Sequence, residues 1–169
     1  MNTVLVCDDD VAILKSIEIY LKMEGYNVIL TENGKEALKA FCGTNRRFDY
    51  KGTIGGVTII DDYAHHPTEI KATLLAAQNY PCKTVWCVFQ PHTYTRTLAL
   101  FDDFAEAFEK TDVLILAEIY AAREMNIYKI SSVQLAEKIR QIHPEKEVLF
   151  MPDFADIASY VSQHACRGD

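Results

Sequence analysis

Short runs of apolar, often β-branched residues alternate along this chain with segments whose apolar residues recur at helical spacing. Residues 4–7 and 27–31 are typical of strands, and apolar residues lie three and four positions apart in the segment between them. Strands that alternate with helices favour a mostly parallel sheet with helices on both faces. The pattern therefore predicts an α/β fold, a three-layer sandwich around such a sheet.

Local signals place the individual elements. Residues 8–10 can cap the first helix, and Gly25 can end it. Two strand-like segments flank Gly55 and Gly56 and predict one antiparallel hairpin at the sheet edge. Pro67 is expected at the first position of a helix. Further strands are predicted over 84–89, 112–120 and 147–151, and further helices over 34–41, 97–110, 131–142 and 153–164.

Composition excludes several classes of protein. A net charge of -7 and a pI near 5.2 leave no basic patch for a nucleic-acid backbone. No apolar run approaches the roughly 20 residues that span a bilayer, and Met1 leads directly into a strand pattern, so neither a membrane segment nor a signal peptide is expected. The five cysteines are scattered without CxxC spacing, which favours buried, reduced thiols. These features predict a cytoplasmic protein that binds neither nucleic acid nor membrane.

Residues 1–41 carry the runs VLVCDDD and LKMEGYNVILTENGKEAL, and in these they resemble the start of a response-regulator receiver domain. The resemblance implies that Asp8 and Asp9 hold Mg²⁺, a hard cation that prefers oxygen ligands. The alternative is that these acidic residues only cap the helix that follows. After Phe41 the strand that ends in the phospho-accepting aspartate of that family does not follow, which favours the capping alternative.

Residues 42–169 carry CGTNRRF, IIDDYAHHPTEIKATL, FQPHTYTRT and IYAARE in that order. These segments resemble the C-terminal domain of the Mur ligases of peptidoglycan synthesis, and within them the UDP-N-acetylmuramate:L-alanine ligases. The resemblance implies an ATP-dependent amide ligation through an acyl phosphate, with ATP and Mg²⁺ as cofactors of the whole enzyme. In such ligases this domain closes over a central ATPase domain and forms one wall of the site.

The same resemblance implies roles for particular residues. Arg46 and Arg47 would face the ATP phosphates, where a guanidinium fork suits phosphate oxygens, and Asp62 would bind the ribose. The residues implied to face nucleotide or substrate are Tyr63, His65, His92 and Arg96, of which Arg96 would engage a carboxylate. Tyr94 lies in the same loop as His92.

Other readings of this region stay open. Thr93 stands where some relatives carry a second arginine, which puts anion recognition there in doubt. Arg46 and Arg47 could instead form a solvated strand edge. His66 is expected to cap a helix, and Tyr120 and Arg123 could only order their loop.

Two features argue against a complete ligase. No GK[ST] phosphate-binding loop occurs in the sequence, and Gly52 to Gly56 reads as a hairpin turn. The run CRGD ends where relatives continue into a final strand, and residues 4–7 have the apolar character to fill that place. We therefore expect a single domain over residues 1–169, a flavodoxin-like and Rossmann-like hybrid built from fragments 1–41 and 42–169. An open sheet edge would also make a homodimer plausible.

Three functions follow from these resemblances. The first is a chimeric or engineered hybrid without turnover that needs no cofactor, although natural fusion is an alternative. The second is a residual module that binds a nucleotide, a UDP-sugar or another anion. The third, and the least favoured, is a phospho-accepting receiver. The sequence leaves the strand order and the oligomeric state open.

Overall fold

The computed structural model describes residues 2–34, 36–37 and 46–169. By its internal contacts the chain divides into two compact units, Met1–Asn45 and Arg46–Asp169. Nowhere in the described part is there a helix long and apolar enough to cross a bilayer.

The N-terminal unit consists of two parallel strands joined by a helix: β1 (Thr3–Cys7), α1 (Val11–Met23) and β2 (Asn27–Thr31). The carboxylate of Asp10 caps α1, because it accepts hydrogen bonds from the N–H groups of Ala12 (2.7 Å) and Ile13 (3.4 Å). Gly25, with a φ of +83°, turns the chain after the helix. These predicted elements are confirmed, while the helix predicted over 34–41 lies largely outside the described residues.

The C-terminal unit begins with the antiparallel hairpin that its glycines predict. The strands β3 (Asp49–Ile54) and β4 (Val57–Asp61) are joined by a turn of two residues, Gly55 and Gly56. Both have positive φ, +62° and +89°, a conformation that glycine adopts easily and that matches the twist of a tight hairpin.

A parallel sheet of three strands in the order β5-β6-β7 forms the centre of this unit. Its strands are β5 (Trp86–Phe89), β6 (Val113–Leu116) and β7 (Glu147–Phe150). The helices of the unit are α2 (Pro67–Ala77), α3 (Tyr94–Ala99), α4 (Phe101–Ala107), α5 (Ser132–Ile142) and α6 (Phe154–His164). The predicted α/β architecture of parallel strands and one antiparallel hairpin is confirmed.

The hydrophobic core lies on both faces of β6, whose four residues are all buried. Leu114 and Leu116 belong to the larger cluster, which α2, α4 and α5 cover, and Ile115 belongs to a smaller one beneath α6. Successive side chains of a strand point to opposite faces, so β6 supplies both clusters. Cys87 packs against the larger cluster, and this burial raises the pKa of its thiol to about 12.

One prediction about these elements is wrong, and another stays a prediction. Among the described strands β1 pairs with β2, and the single domain expected over residues 1–169 stays a prediction. The crossover helix α1 returns the chain beside β1 and provides a local partner. The single helix predicted over 97–110 is instead α3 followed by α4, because Leu100, with φ of -115° and ψ of 26°, interrupts the helical backbone.

Candidate functional site

The chain segments that follow β4, β5 and β6 meet at the carboxyl ends of these strands. His65 follows β4, His92 follows β5 and Tyr120 follows β6. The ring centroids of His65 and His92 lie 6.4 Å apart, and those of His92 and Tyr120 lie 5.4 Å apart. Since ligands of open α/β sheets bind at this end of the strands, the cluster is the candidate site.

Asp62 holds the first of these segments in place. One carboxylate oxygen accepts a hydrogen bond from the N–H of Phe48 and the other accepts one from the N–H of Ala64, each at 2.7 Å. These bonds tie the chain before β3 to the turn after β4. Each oxygen of Asp62 accepts a backbone hydrogen bond, which gives this residue a structural role, and the ribose contact that the resemblance implied stays a prediction.

Arg46 lies beside the aromatic ring of Tyr63. Its Nε lies 3.2 Å from a carboxylate oxygen of Asp61, and its guanidinium carbon lies 5.1 Å from the centre of the Tyr63 ring. The N–H of Tyr63 also donates to the carbonyl oxygen of Arg46 at 2.6 Å. Stacking and pairing orient this cation next to the site, while its side chain remains 57% exposed to solvent.

Glu69 connects Arg47 to the histidine segment. One of its oxygens accepts from the guanidinium of Arg47 at 3.3 Å, and the other accepts from the N–H groups of His65 (3.0 Å) and His66 (3.3 Å). The His65 N–H, followed by Arg47, lowers the pKa of the Glu69 carboxyl below its usual value. Sequence reasoning did not identify Glu69, although the spacing of His66 and Glu69 is that of a capping box.

His66 has the capping role that the sequence predicted. Its Nδ1 accepts from the N–H of Thr68 at 3.3 Å, at the start of α2, where Pro67 occupies the first turn. The ring of His66 is therefore engaged with the helix end, whereas that of His65 faces the cluster.

The two histidines of the cluster have defined tautomers when neutral. Nδ1 of His65 lies 2.9 Å from the carbonyl oxygen of Tyr63, which can only accept, so this nitrogen carries the proton. Nδ1 of His92 lies 3.4 Å from a guanidinium nitrogen of Arg96, which can only donate, so here the proton is on Nε2. Both rings thus present Nε2 to a ligand, that of His65 as an acceptor and that of His92 as a donor.

Arg96 belongs to the first turn of α3, whose start is unusually constrained. Thr93 has a φ of +66°, and its hydroxyl accepts from the N–H of Arg96 at 3.4 Å. The hydroxyl of Thr97, in turn, donates to the carbonyl oxygen of Thr93 at 2.7 Å. Thr93 therefore caps the helix that positions Arg96, at the place where the resemblance raised doubt about anion recognition.

Glu124 fastens the loop after Tyr120 to the same helix start. Its carboxylate accepts from the hydroxyl and the N–H of Thr95. The Thr95 hydroxyl is the main reason that the pKa of Glu124 lies below its usual value. The loop-ordering role that the sequence offered to Tyr120 and Arg123 is filled at least in part by Glu124, which sequence reasoning missed.

The acidic residues before α1 accept hydrogen bonds from backbone N–H groups close to them in sequence. A carboxylate oxygen of Asp8 accepts from the N–H of Asp10 at 2.9 Å, and Asp10 caps α1. Over the described ranges, no group of three or more His, Cys, Asp or Glu side chains is arranged to hold a metal ion. A Mg²⁺ site at Asp8 and Asp9 stays a prediction.

Comparison with known sequences gives the family. Residues 46–169 match the family described as Mur ligase, glutamate ligase domain. The chain belongs to the Mur ligase family. The UDP-N-acetylmuramate–L-alanine ligase of Lachnoclostridium phytofermentans is 53% identical over 135 residues, which cover 80% of this chain and 28% of that protein. The same enzyme of Clostridium acetobutylicum is 53% identical over 134 residues, 79% of this chain and 29% of that protein.

Solved structures agree with this assignment. A murein peptide ligase of Psychrobacter arcticus matches with a TM-score of 0.63 at 25% identity, over 79% of this chain and 27% of that one. The UDP-N-acetylmuramate-alanine ligase of Thermotoga maritima matches in fold with a TM-score of 0.58 at 23% identity, over 85% of this chain and 29% of that one. The chain thus spans less than a third of the length of these relatives.

The extent of the similarity corrects the seam predicted at residue 41. The ligase of Caldanaerobacter subterraneus is 50% identical over 139 residues, 82% of this chain. A stretch of that length is longer than residues 42–169, so it begins before residue 42. The ligase-like part therefore includes residues that the sequence analysis gave to the receiver-like fragment, and the receiver resemblance stays a prediction.

Proposed function

We propose that residues 46–169 serve as the C-terminal domain of an ATP-dependent UDP-N-acetylmuramate–L-alanine ligase. The observation that supports this most is a continuous series of contacts at the carboxyl ends of the strands. Arg46 contacts Tyr63, which contacts His65, while His92 lies beside His65 and contacts Arg96. Two cations thus stand at opposite ends of a row of rings, a geometry suited to an extended anionic ligand.

The residues present fit nucleotide phosphates. Arg46 uses Nε on Asp61, and its two Nη groups have no partner among the described residues. They are therefore available to phosphate oxygens, which guanidinium groups bind in bidentate fashion. Arg47 is already paired with Glu69, so we assign it to positioning. When bound, ATP supplies the phosphoryl group that activates the substrate carboxylate.

Arg96 and the two histidines would act on the substrate side. A guanidinium matches a carboxylate in charge and in planar geometry. His65 would present Nε2 as an acceptor, and His92 would present Nε2–H as a donor. In this proposal the domain binds and orients reactants, and ligation gains mainly from positioning and charge stabilisation.

A domain graft tests this proposal. Residues 46–169 would replace the corresponding part of the Clostridium acetobutylicum ligase, and phosphate release with UDP-N-acetylmuramate, ATP and L-alanine would be measured. We expect the graft to be active and Arg96→Ala to lower its kcat/KM by about tenfold to a hundredfold, the loss of one charge-assisted hydrogen bond.

Arg123→Ala is the matched control, because Arg123 is exposed and makes no hydrogen bond among the described residues; it should leave kcat/KM unchanged. A graft that folds and binds ATP without releasing phosphate would contradict the proposal. So would equal losses in the two variants. The 169-residue chain alone should release no phosphate, because its sequence has no GK[ST] loop.

We further propose that the chain is a fusion in which the start of the N-terminal unit, with β1 and α1, comes from a receiver-like source, by natural recombination or by design. The N-terminal unit forms a compact body of its own, which supports this proposal. We expect no phosphoryl transfer, because no acceptor aspartate follows in the family's context. Intact mass after incubation with acetyl phosphate and Mg²⁺ should show no adduct, and a single adduct on Asp8 or Asp9 would contradict this expectation.

A further inference from the structure

Two loops at the candidate site have backbone conformations that are costly for residues with a side chain. Thr93, after β5, has a φ of +66° and a ψ of 145°, and Ala122, after β6, has a φ of +52°. Such conformations suit glycine, and other residues keep them only where the surrounding structure imposes them, most often at functional sites. The contacts that hold these two loops therefore bear on how the site works.

Backbone hydrogen bonds join the two loops on either side of His92. The N–H of Tyr120 donates to the carbonyl oxygen of Pro91 at 2.8 Å, and the N–H of Thr93 donates to the carbonyl oxygen of Tyr120 at 2.9 Å. These are the two bonds of a parallel bridge between His92 and Tyr120, so the pairing of β5 with β6 continues into the loops. The bridge fixes the backbone of His92 beside that of Tyr120.

The carboxylate of Glu124 adds a side-chain connection between the same loops. It accepts hydrogen bonds from the hydroxyl of Thr95 and, at 2.9 Å, from the N–H of Thr95, although the two residues lie 29 positions apart in sequence. The hydroxyl and N–H of Thr95, and after them the N–H of Tyr94 and the hydroxyl of Thr93, lower the pKa of this carboxyl. Glu124 thus fastens the strained turn at Thr93 to the loop that contains Ala122.

The segment that Glu124 holds separates the two groups on the substrate side. His92 precedes Thr93, and Arg96 follows Thr95. A guanidinium nitrogen of Arg96 lies 3.4 Å from Nδ1 of His92, and the N–H of Arg96 donates to the hydroxyl of Thr93 at 3.4 Å. Because only three residues connect the ring to the cation, the conformation of those residues sets how the two side chains meet.

We propose that Glu124 is a positioning residue, which holds Arg96 and His92 in the geometry in which they receive an anionic substrate. This inference rests on the proposed function, because it assigns a role at the same site. Glu124 acts through the loop bonded to it and keeps the turn at Thr93 in place before substrate arrives. A site ordered in advance loses less conformational entropy on binding and keeps its reactants in register.

The tautomer of His92 reports this geometry in the 169-residue chain without substrate. While Arg96 donates to Nδ1, the proton of neutral His92 stays on Nε2. Nitrogen NMR above neutral pH should show this tautomer in the parent. In Glu124→Gln, which keeps the shape but only one acceptor oxygen, we expect the population of the other tautomer to rise by about twofold or more.

Glu137→Gln is the matched control for the loss of charge. Glu137 lies on α5, is exposed and makes neither a hydrogen bond nor an ion pair within the part of the chain that the structure describes. This variant removes the same charge as Glu124→Gln and leaves the two loops untouched. It should show the tautomer of the parent.

Thr95→Val tests the same contact from the other loop. Valine has nearly the shape of threonine but no hydroxyl, so the variant removes one donor to Glu124 and keeps the carboxylate. Thr95 is exposed, which makes the substitution mild for the core. We expect the same change of tautomer as in Glu124→Gln, and if one of these variants does not fold, the other still decides.

The grafted ligase shows whether Glu124 acts through Arg96. We expect Glu124→Gln to lower kcat/KM by about fivefold or more in the graft, and by less than about twofold where Arg96 is already alanine. A residue that only stabilised the domain would lower kcat/KM by the same factor in both backgrounds.

Three results would overturn this proposal. The first is a parent chain in which neutral His92 shows no preference for the proton on Nε2. The second is the tautomer of the parent in both Glu124→Gln and Thr95→Val. The third is an equal loss of kcat/KM with and without Arg96. If the parent graft releases no phosphate, the proposed function fails, whereas the tautomer of His92 in the 169-residue chain still decides the role of Glu124.

Discussion

Phe104→Ala should destabilise the C-terminal unit by about 3–5 kcal/mol, the usual cost of deleting a buried phenylalanine. Phe104 is 0% exposed, and its ring lies 5.8 Å from that of Phe89. It joins α4 to the sheet within the larger core cluster, where neighbouring helices restrict collapse into the cavity. Since whole domains are stable by only about 5–15 kcal/mol, urea unfolding should show a large drop in the midpoint.

Phe154→Ala is the matched control, because Phe154 begins α6 and is 57% exposed. We expect it to cost less than about 1 kcal/mol, within the range of ordinary surface substitutions. Similar losses for the two variants would contradict the placement of the core at β6. If the slope of the unfolding free energy against urea concentration is the same in both variants, the difference in midpoint reports a difference in stability alone.

Asp62→Ala should destabilise the same unit by about 2–4 kcal/mol. The substitution removes a charged acceptor from two backbone N–H groups, those of Phe48 and Ala64, and a lost hydrogen bond to a charged group costs about 1.5–3 kcal/mol. Because Asp62 is half-buried, water can partly replace the lost acceptor. The expected cost is therefore less than twice the cost of one such hydrogen bond. The midpoint of urea unfolding measures the effect.

Asp62→Asn separates the structural role from a ribose contact. Asparagine keeps one acceptor oxygen, so it should recover about half of the lost stability. If Asp62 acted mainly on a nucleotide, both variants would weaken ATP binding in the grafted ligase while leaving the unfolding midpoint unchanged. That outcome would contradict the role assigned from the two backbone bonds.

These two substitutions also bear on the proposed function. Asp62 holds the segment that carries Tyr63 and His65, and it anchors Phe48, two residues beyond Arg46. A ligase domain that must close on its substrates needs these groups in fixed positions, because a small displacement weakens every contact at once. The structure therefore links the stability of this turn to the geometry of the site.

Much of the local structure could be predicted from the sequence. The strand at Asn27–Thr31 begins and ends where it was predicted to, and the helix predicted to begin at Pro67 does so. The capping role of His66 is confirmed. These features depend on contacts between residues a few positions apart, such as caps, paired glycines and runs of β-branched residues. The resemblance also named Arg46, His65 and Arg96, which the structure places along one row of rings.

Other features could not be predicted, because they depend on residues distant in sequence. Glu69 binds Arg47, and Glu124 binds Thr95, through pairings that neither segment shows alone. The pairing of β1 with β2 likewise joins residues that lie more than twenty positions apart.

The sequence by itself determined the alternation of strands and helices, the hairpin turn and the membership in a ligase family. These features depend on local backbone preferences and on motif residues that lie close together in the chain. Only the tertiary structure decided which strands pair and which carboxylates hold the site together. Strand pairing joins residues that lie far apart in sequence, and the packing of the whole unit determines which strands pair.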